Sequence, residues 1–440
     1  MNAPAAEKLE MEELQEVWYI LSCHERLEGF RCLSQHDAEE FFFSLNSRDQ
    51  SELMVTLPSD ERRIWMRSLP PDDAADLIQQ TPVEHQEELL ELLDPSTIKE
   101  VRALLAYAQD QAGGLMNPRF ARVRPDVTVD EAITYLRKQS REYLESIYYI
   151  YVLDDQQNLL GVVSLRELIR STPEKTVRDV MSKNLITVDE EQDQEKLGKL
   201  FAESGLLAIP VLDENRHMKG IVTADDIVQV VQEEATEDIQ KLGGMEALDT
   251  PYLQTSMGHM IRKRAGWLII LFLGEMFTAS AMTYFEADIA RAVILALFIP
   301  LIISSGGNSG SQATTLVIRA LALGEIRLRD WWRVVRRELL TGFVLGMTLG
   351  SIGFLRVVFW QWVKPIYGEY YIAVGFTIFV SLLGVVMLGT LAGSFLPFVL
   401  KRLGFDPASA SAPFVATIVD VSGLVIYFSV ASILLRGTLL

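Results

Sequence analysis

Cysteine and histidine are scarce in this 440-residue chain, with two of the first and five of the second. Cys23 and Cys32 are too few to build a disulfide framework or a metal site, and they fit a reducing cytosol for the N-terminal half. The histidines are scattered without ligand spacing and read as ordinary helix-surface residues. The opening stretch, MNAPAAEKLEMEELQEV, has neither a basic n-region nor an apolar core, so no cleaved signal peptide is expected. A P-loop, a nucleophile elbow and a histidine metal motif are all missing, so an enzyme is not expected. Basic residues are also in short supply at one end. Residues 1–260 carry 50 Asp and Glu against 25 Lys and Arg, which excludes nucleic acid as a natural partner and favours a cationic one.

Residues 261–440 reverse that balance, with 9 acidic against 15 basic residues in a strongly apolar background. An acidic soluble half is therefore joined to a mildly basic membrane half. From about residue 35 to 112, short amphipathic pieces are punctuated near every twelfth residue, with Pro58, Pro70, Pro82 and Pro95 each starting a segment. Such a stack of short helices names no activity by itself. Next comes an internal duplication: VLDDQQNLLGVVSLRELIR (152–170) aligns with VLDENRHMKGIVTADDIVQ (211–229) at a constant offset of 59. Each copy predicts a strand, an acidic turn, a second strand opening on Gly161 or Gly220, and a Ser or Thr that caps a helix. A long helix is expected over 224–242, stopped by Gly243 and Gly244.

Five membrane spans can be drawn, at about 265–285, 292–323, 339–361, 372–399 and 412–435, each reaching the roughly 20 residues a bilayer needs. Arg262 to Arg264, the run from Arg327 to Arg337, and Lys401 with Arg402 fall on one side. The positive-inside rule then places the acidic half in the cytosol and the C-terminus outside.

Two features carry chemistry within the spans. GGNSGSQ (306–312) interrupts the second span and reads as a break, with Gly306, Gly307 and Gly310 lowering helix propensity and Asn308 and Gln312 supplying amide groups. Freed carbonyls at such a break are oxygen ligands for a hydrated cation. Close helix packing through small residues explains the glycines equally well, but Asn308 and Gln312 less well. The second feature is Asp420 in PFVATIVDVSG, an intramembrane carboxylate that marks an ion path. At about 1.5 Å per residue, Gly307 lies roughly 22 Å from the outer edge of a roughly 30 Å core, and Asp420 roughly 10 Å from the inner edge, so the two are expected at similar depth. Glu275 in the first span is a second buried acid; path, ion pair and contact with Thr278 all stay open. One carboxylate with amide and carbonyl oxygens suits a largely hydrated magnesium ion, and two chains would double the charge.

The duplication resembles a tandem pair of CBS domains. Together with the acidic helix repeats, AGGLM (112–116), EATEDIQKLG (234–243), PLIISSGGNSGSQATT and ATIVDVSG, it is similar to the MgtE family of magnesium channels. That resemblance implies a multidomain membrane protein: an α-helical repeat domain at 1–112, an α/β CBS pair at 113–233, a connecting acidic helix with a plug-like juxtamembrane helix at 234–264, and a five-helix transmembrane domain at 265–440. It further implies a homodimer in a bacterial-type plasma membrane, importing Mg2+ down its gradient and closing when cytosolic Mg2+ is plentiful. By position, Asp420 corresponds to the family's pore aspartate, Ala416 offers its carbonyl one turn earlier, and Gly307, Asn308 and Gly310 face the pore. Ala412 before Pro413 departs from the family's usual Asn.

Regulatory metal is expected on two acidic faces. One is Asp225, Asp226, Glu233, Glu234, Glu237 and Asp238 of the long helix with Asp249 beyond it; the other is Asp72, Asp73, Asp76, Glu87, Glu88 and Glu91 of the repeat. Like charges three or four residues apart repel by a few tenths of a kcal/mol per pair, which a divalent cation would relieve. Thr223 and Asp226 match the CBS position that holds a ribose, making ATP a candidate ligand, although helix capping accounts for Thr223 as well. A membrane-anchored nucleotide or ion sensor and a transporter of cobalt or nickel are the competing readings.

Overall fold

The computed structural model describes residues 10–139 and 144–439, so the first nine residues of the stretch read for a signal peptide, 1–17, fall outside it. The chain divides into two compact units, one running to Glu234 and one over Ala235–Leu440.

The first unit opens with α1 (Met11–Val17) and then keeps strict time. α2 (Cys23–Cys32), α3 (Gln35–Ser44), α4 (Ser47–Thr56), α5 (Ser59–Ser68), α6 (Pro71–Gln80), α7 (Val83–Leu90) and α8 (Pro95–Leu104) each begin twelve residues after the one before. The beat thus starts upstream of its first proline. Ser22, Ser34 and Asn46 cap the early helices with side-chain oxygens, whereas Pro58, Pro70 and Pro82 occupy the same place ahead of α5 to α7. Phe30, Phe41, Phe42, Met54 and Met66 fill the interior between them. Arg26 is buried there too, donating from Nε to the Trp18 carbonyl at 2.9 Å and pairing with Glu52 at 2.9 Å.

After α9 (Ala112–Leu115) the duplication folds as two three-stranded sheets of identical plan. The first has β1 (Phe120–Val123), β2 (Ser146–Leu153) and β3 (Leu159–Ser164); its helices are α10 (Val129–Gln139) and α11 (Leu165–Arg170). After α12 (Val177–Val180), the second has β4 (Val188–Asp189), β5 (Ala208–Leu212) and β6 (Met218–Thr223), with α13 (Gln194–Ser204) and α14 (Ala224–Leu242). The offset of 59 extends to the pairing register. Val152 faces Gly161 as Val211 faces Gly220, and the tight turns put Gln157 and Arg216 at φ 65° and 66°. His217 sits in the second of these turns, bonded to Asp213, and not on a helix surface.

The copies also exchange edges. Asn117, leading into the first copy, bonds both ways with Ile221 of the second, while Ser182, leading into the second, does so with Val162 of the first. Gly220 and Gly161 leave room for the matching Met116 and Met181. Ile209, Val222, Leu197 and Ile227 of the second copy continue the core of the helical repeat.

The second unit takes up the last turns of α14, which ends where expected, with Gly244 at φ 73°. Five helical stretches are long and apolar enough to cross a membrane, namely Met257–Tyr284, Val293–Ala322, Leu328–Val363, Tyr371–Arg402 and Ala412–Leu434. The first of them, α15 (Met257–Tyr284), is one continuous helix that includes the juxtamembrane stretch. Two short helices, α16 (Glu286–Arg291) and α17 (Val293–Ala296), lead to α18 (Ile299–Ala322), and the bundle is completed by α19 (Trp331–Val363), α20 (Tyr371–Arg402) and α21 (Ala412–Leu434).

The expected break in the second span does not occur: α18 runs helically through GGNSGSQ. Tertiary contact overrides the low propensity of its glycines. A Cβ on Gly389 of α20 would strike the Gly306 carbonyl, and one on Gly393 the Gly310 carbonyl, so the two helix backbones touch. On its other side α20 receives a second ladder, with Gly342, Gly346 and Gly350 of α19 lying against Thr390, Leu383 and Phe379.

Gly389→Ala is therefore expected to cost about 1–3 kcal/mol or more through overpacking. Gly384→Ala, whose Cβ would meet the movable Ile426 Cγ2 at 3.2 Å, should be tolerated. Thermal unfolding of the purified chain in detergent checks this, and equal melting temperatures for the two variants would refute backbone contact as the organising feature.

Candidate functional site

In the membrane unit, α21 begins at Ser411, whose side chain caps Phe414 and accepts a bond from Trp267 Nε1 at 3.1 Å. Its next turns pack on α18. A Cβ at Gly307 would stand 3.4 Å from Ala416 Cβ and 3.5 Å from Asp420 Oδ1, so these three residues share one place. Asp420 is half-buried, and among the described residues its carboxylate has neither a hydrogen bond nor an ion pair. Gly310 belongs to the packed face of α18, against Val415 and Gly389. Asn308 and Gln312 are exposed. With Ser304, whose hydroxyl accepts from Asn308 Nδ2 at 3.4 Å, they form a polar stripe along apolar neighbours. Since α18 is unbroken, the stripe offers side-chain oxygens where free backbone carbonyls had been expected.

Glu275 is exposed on α15, not buried, and among the described residues it does not bond Thr278 or any basic residue. It lies near enough for its charge to act on Asp420. α15 touches the bundle mainly through Gly274 on Thr417 and Trp267 near Phe414. Ala412 meets Ser311 Oγ through its carbonyl at 3.3 Å, and the turn at Gly244 rests on Trp267 and on Pro413.

In the soluble unit, the acids of α6 meet those of α14. Burial comes first in raising every carboxyl of this group, and neighbouring acids add to it. Asp73 rises to about 6 with Asp225 beside it, and Asp76 to about 8 with Asp73, Asp226 and Glu233. Asp226 is pushed to about 6, partly held back by its bond from Thr223, and Asp72 goes well above the carboxylate range. Glu145, which follows residues 140–143, is a member that no sequence pattern signalled. It is raised to about 7 by burial and then by Asp226, Asp73 and Asp225. Asn117 links it in, donating from one Nδ2 to Asp72 at 3.0 Å and to Glu145 at 2.7 Å.

The other expected ligands lie elsewhere. Glu87 and Glu88 of α7 are held by Arg102 at 2.6 Å and Arg62 at 2.9 Å, and Glu91 stands exposed at the end of that helix. Their partners lie 15 and 26 residues away, beyond any local pattern. Glu234 accepts from Gln194 at 2.6 Å, Glu237 pairs with Lys241, and Asp249 pairs with His259 and Lys263. Asp238 is also engaged. Among the described residues no three His, Cys, Asp or Glu side chains close on one point as direct metal ligands. The α6–α14 cluster therefore fits a cation that keeps its water shell better than one held by bare carboxylates. Thr223 donates to Asp226 Oδ2 at 2.7 Å, as Ser164 does to Glu167 at 2.9 Å, so capping accounts for both pairs.

A helical-repeat unit with paired CBS sheets, joined to five membrane-length helices that gather a carboxylate against a small-residue helix, defines a membrane cation transporter with a soluble N-terminal half. Known proteins agree. Residues 299–430 match the family MgtE, a divalent cation transporter, residues 9–110 the MgtE intracellular N domain, and residues 112–174 and 177–233 the CBS domain. The chain is 41% identical to the magnesium transporter MgtE of Thermus thermophilus over 80% of its own length and 76% of that protein's. It is 36% identical to the one from Enterococcus faecalis, over 77% and 72%. A solved structure of the cytosolic domain of the Mg2+ channel MgtE in complex with ATP matches 51% of this chain and 92% of its own, at 36% identity and TM-score 0.47. The chain belongs to the MgtE family of divalent cation transporters.

The pH dependence of the acidic cluster follows from its raised pKa values. Its carboxyls bind protons more tightly folded than unfolded, so in metal-free buffer stability falls as pH rises from about 4 to about 8. Asp76→Asn should flatten that profile and raise the melting temperature at about pH 8 by a few degrees. A melting temperature that is level across this window would contradict the assignment.

Proposed function

We propose that two copies of this chain form a path that carries Mg2+ inward, with the acidic half in the cytosol, the C-terminus outside, and closure when cytosolic Mg2+ reaches the acidic cluster. The observation that carries the path is the meeting of Asp420 with Gly307 and Ala416 beside the exposed stripe of Ser304, Asn308 and Gln312. A polar stripe facing hydrocarbon is costly, and a second copy around a water-filled axis relieves that cost. Asp420 from each copy would supply two negative charges to a divalent ion. Amide and hydroxyl oxygens along the stripe would hold its water shell without stripping it. Glu275 adds further negative potential near Asp420 and need not touch the ion.

Regulation follows from charge. When cytosolic Mg2+ is scarce, Asp72, Asp73, Asp76, Asp225, Asp226, Glu145 and Glu233 repel one another across α6 and α14. A bound divalent cation supplies the missing positive charge and favours the closed cluster by its differential affinity for that state. α14 runs unbroken from these acids to its last turn, where Lys241 pairs with Glu237 and, at 2.7 Å, with Asp406 of the loop between α20 and α21. Burial lowers the Lys241 pKa, but the hydrogen bonds of Asp406 and Glu237 raise it overall, so the link stays charged. The loop leads straight into Ser411 and the start of α21. Nucleotide binding at Thr223 and Asp226 is the weaker reading, because both side chains are spent on capping α14 and Asp226 also belongs to the acidic cluster. Calorimetric titration with ATP addresses it.

Magnesium uptake into liposomes tests the path. Asp420→Asn is expected to lower the rate at least tenfold, and equal uptake by wild type and variant would leave the spans as anchors for a sensor. Cobalt entering faster than magnesium through wild type would instead reassign the ion. Coupling is tested separately with Asp406→Asn, which keeps the Ala408 cap but loses the ion pair. Its uptake should persist at millimolar internal magnesium that silences wild type, and identical shut-off in both would remove Lys241–Asp406 from the gating route.

A further inference from the structure

We infer that the basic end of the membrane unit is a binding surface for anionic phospholipid headgroups. Arg327 and Arg329 flank or enter the single 3-10 turn that opens α19, and Arg333, Arg336 and Arg337 stand on the helix's first turns. Arg319 lies in the last turn of α18 and Arg402 ends α20. All are exposed.

Their crowding sets them apart: seven exposed arginines fall at the ends of three neighbouring helices. In the soluble unit, arginines such as Arg26, Arg62, Arg102 and Arg119 are matched to carboxylates. In the membrane unit Lys241 pairs with Glu237 and Asp406, and Asp249 with His259 and Lys263. None of the basic-end arginines enters an ion pair among the described residues. Acids at that end do not offset them. The Asp330 carboxylate accepts the Arg327 backbone N–H at 3.0 Å, Glu325 is exposed and unpaired, and Glu338 feels Arg337 without an ion-pair contact.

Helix electrostatics make the arrangement more demanding. Arg333 sits in the first turn of a 33-residue helix that has no acid in that turn, so it faces the positive end of the helix dipole. Arg336 and Arg337 follow at the three- and four-residue spacings where like charges repel. Asp330 at the N-cap and Glu338 beside Arg337 are the neighbouring acids, and among the described residues neither forms an ion pair with these arginines, so an external phosphate would relieve the repulsion. A guanidinium offers a phosphate two parallel donors, which makes arginine the side chain suited to that partner.

The surroundings point to a headgroup at the membrane surface. Trp331 and Trp332, 43% and 59% exposed, bracket the cations with indoles, side chains favoured at the interface between headgroup and acyl chain. Trp331 packs edge-on to Phe395 of α20, and Val334 joins Val317, Leu321 and Phe398. The ends of α18, α19 and α20 are thus fastened together, and their arginines gather at one level. Membrane topology alone explains the sign of this charge. It does not explain why so many arginines crowd beside adjacent indoles at the ends of three packed helices.

The test uses the full chain in mild detergent, with retention of phosphatidylglycerol and phosphatidylcholine measured by native mass spectrometry. Wild type is expected to prefer the anionic lipid, less so as salt rises. Each arginine lost should lower the preference roughly fivefold, so R333Q/R336Q falls more than tenfold while R333K/R336K keeps most of it. R291Q/K364Q removes two cations away from this cluster and should leave the preference intact. Equal retention of both lipids by wild type overturns the proposal. So does a preference unchanged in R333Q/R336Q, lost equally in R291Q/K364Q, or abolished by millimolar inorganic phosphate, the last indicating a free-ion site. If R333Q/R336Q fails to fold, the salt response of wild type and the lysine variant decides.

Discussion

Backbone contact between α18 and α20 is the constraint on which the membrane half depends. Four glycines, Gly306 and Gly310 on one helix and Gly389 and Gly393 on the other, let two helices meet without side chains between them. Apolar side chains gain little by leaving lipid for one another, so close packing of this kind has to supply much of the association. It also sets rotation. With 3.6 residues per turn, fixing Gly306 and Gly310 against α20 turns Gly307 toward α21 and leaves Asn308 and Gln312 on the open side. Asp420 then meets a glycine rather than a bulky neighbour.

The soluble half rests on an imbalance of a different kind. Its helical repeat and its second CBS sheet share one apolar core, which holds α6 and α14 near each other whether or not their acids agree. Hydrophobic contact thus forces like charges together, and their raised pKa values record the tension. Glu87 and Glu88, already matched by Arg102 and Arg62, have no such tension. Counting acids along a helix cannot separate these cases; the neighbours decide.

Much of this was legible in the residues. Five spans, the CBS duplication and the end of α14 follow from hydropathy, a fixed offset and paired glycines, all local signals. Gly307 and Asp420 are neighbours, as a constant rise per residue from the two ends of their helices implies. What failed had distant causes. GGNSGSQ reads as a break until Gly389 and Gly393, some eighty residues on, are seen against it. Glu275 reads as buried only if every span is assumed to be enclosed, whereas α15 leans on one neighbour. Glu145 joins its cluster through Asn117, with no periodicity to announce it.

The edge exchange within the CBS pair bears on how this region could arise or be divided. Each sheet is completed by the strand-like segment that precedes the other copy, through Asn117 on Ile221 and Ser182 on Val162. A single copy cut out alone would leave one of those edges bare, and bare edges recruit foreign strands. The duplicated module is therefore indivisible: gene fragments encoding one copy would yield sticky, aggregation-prone chains, and any shuffling of this region has to move both copies at once.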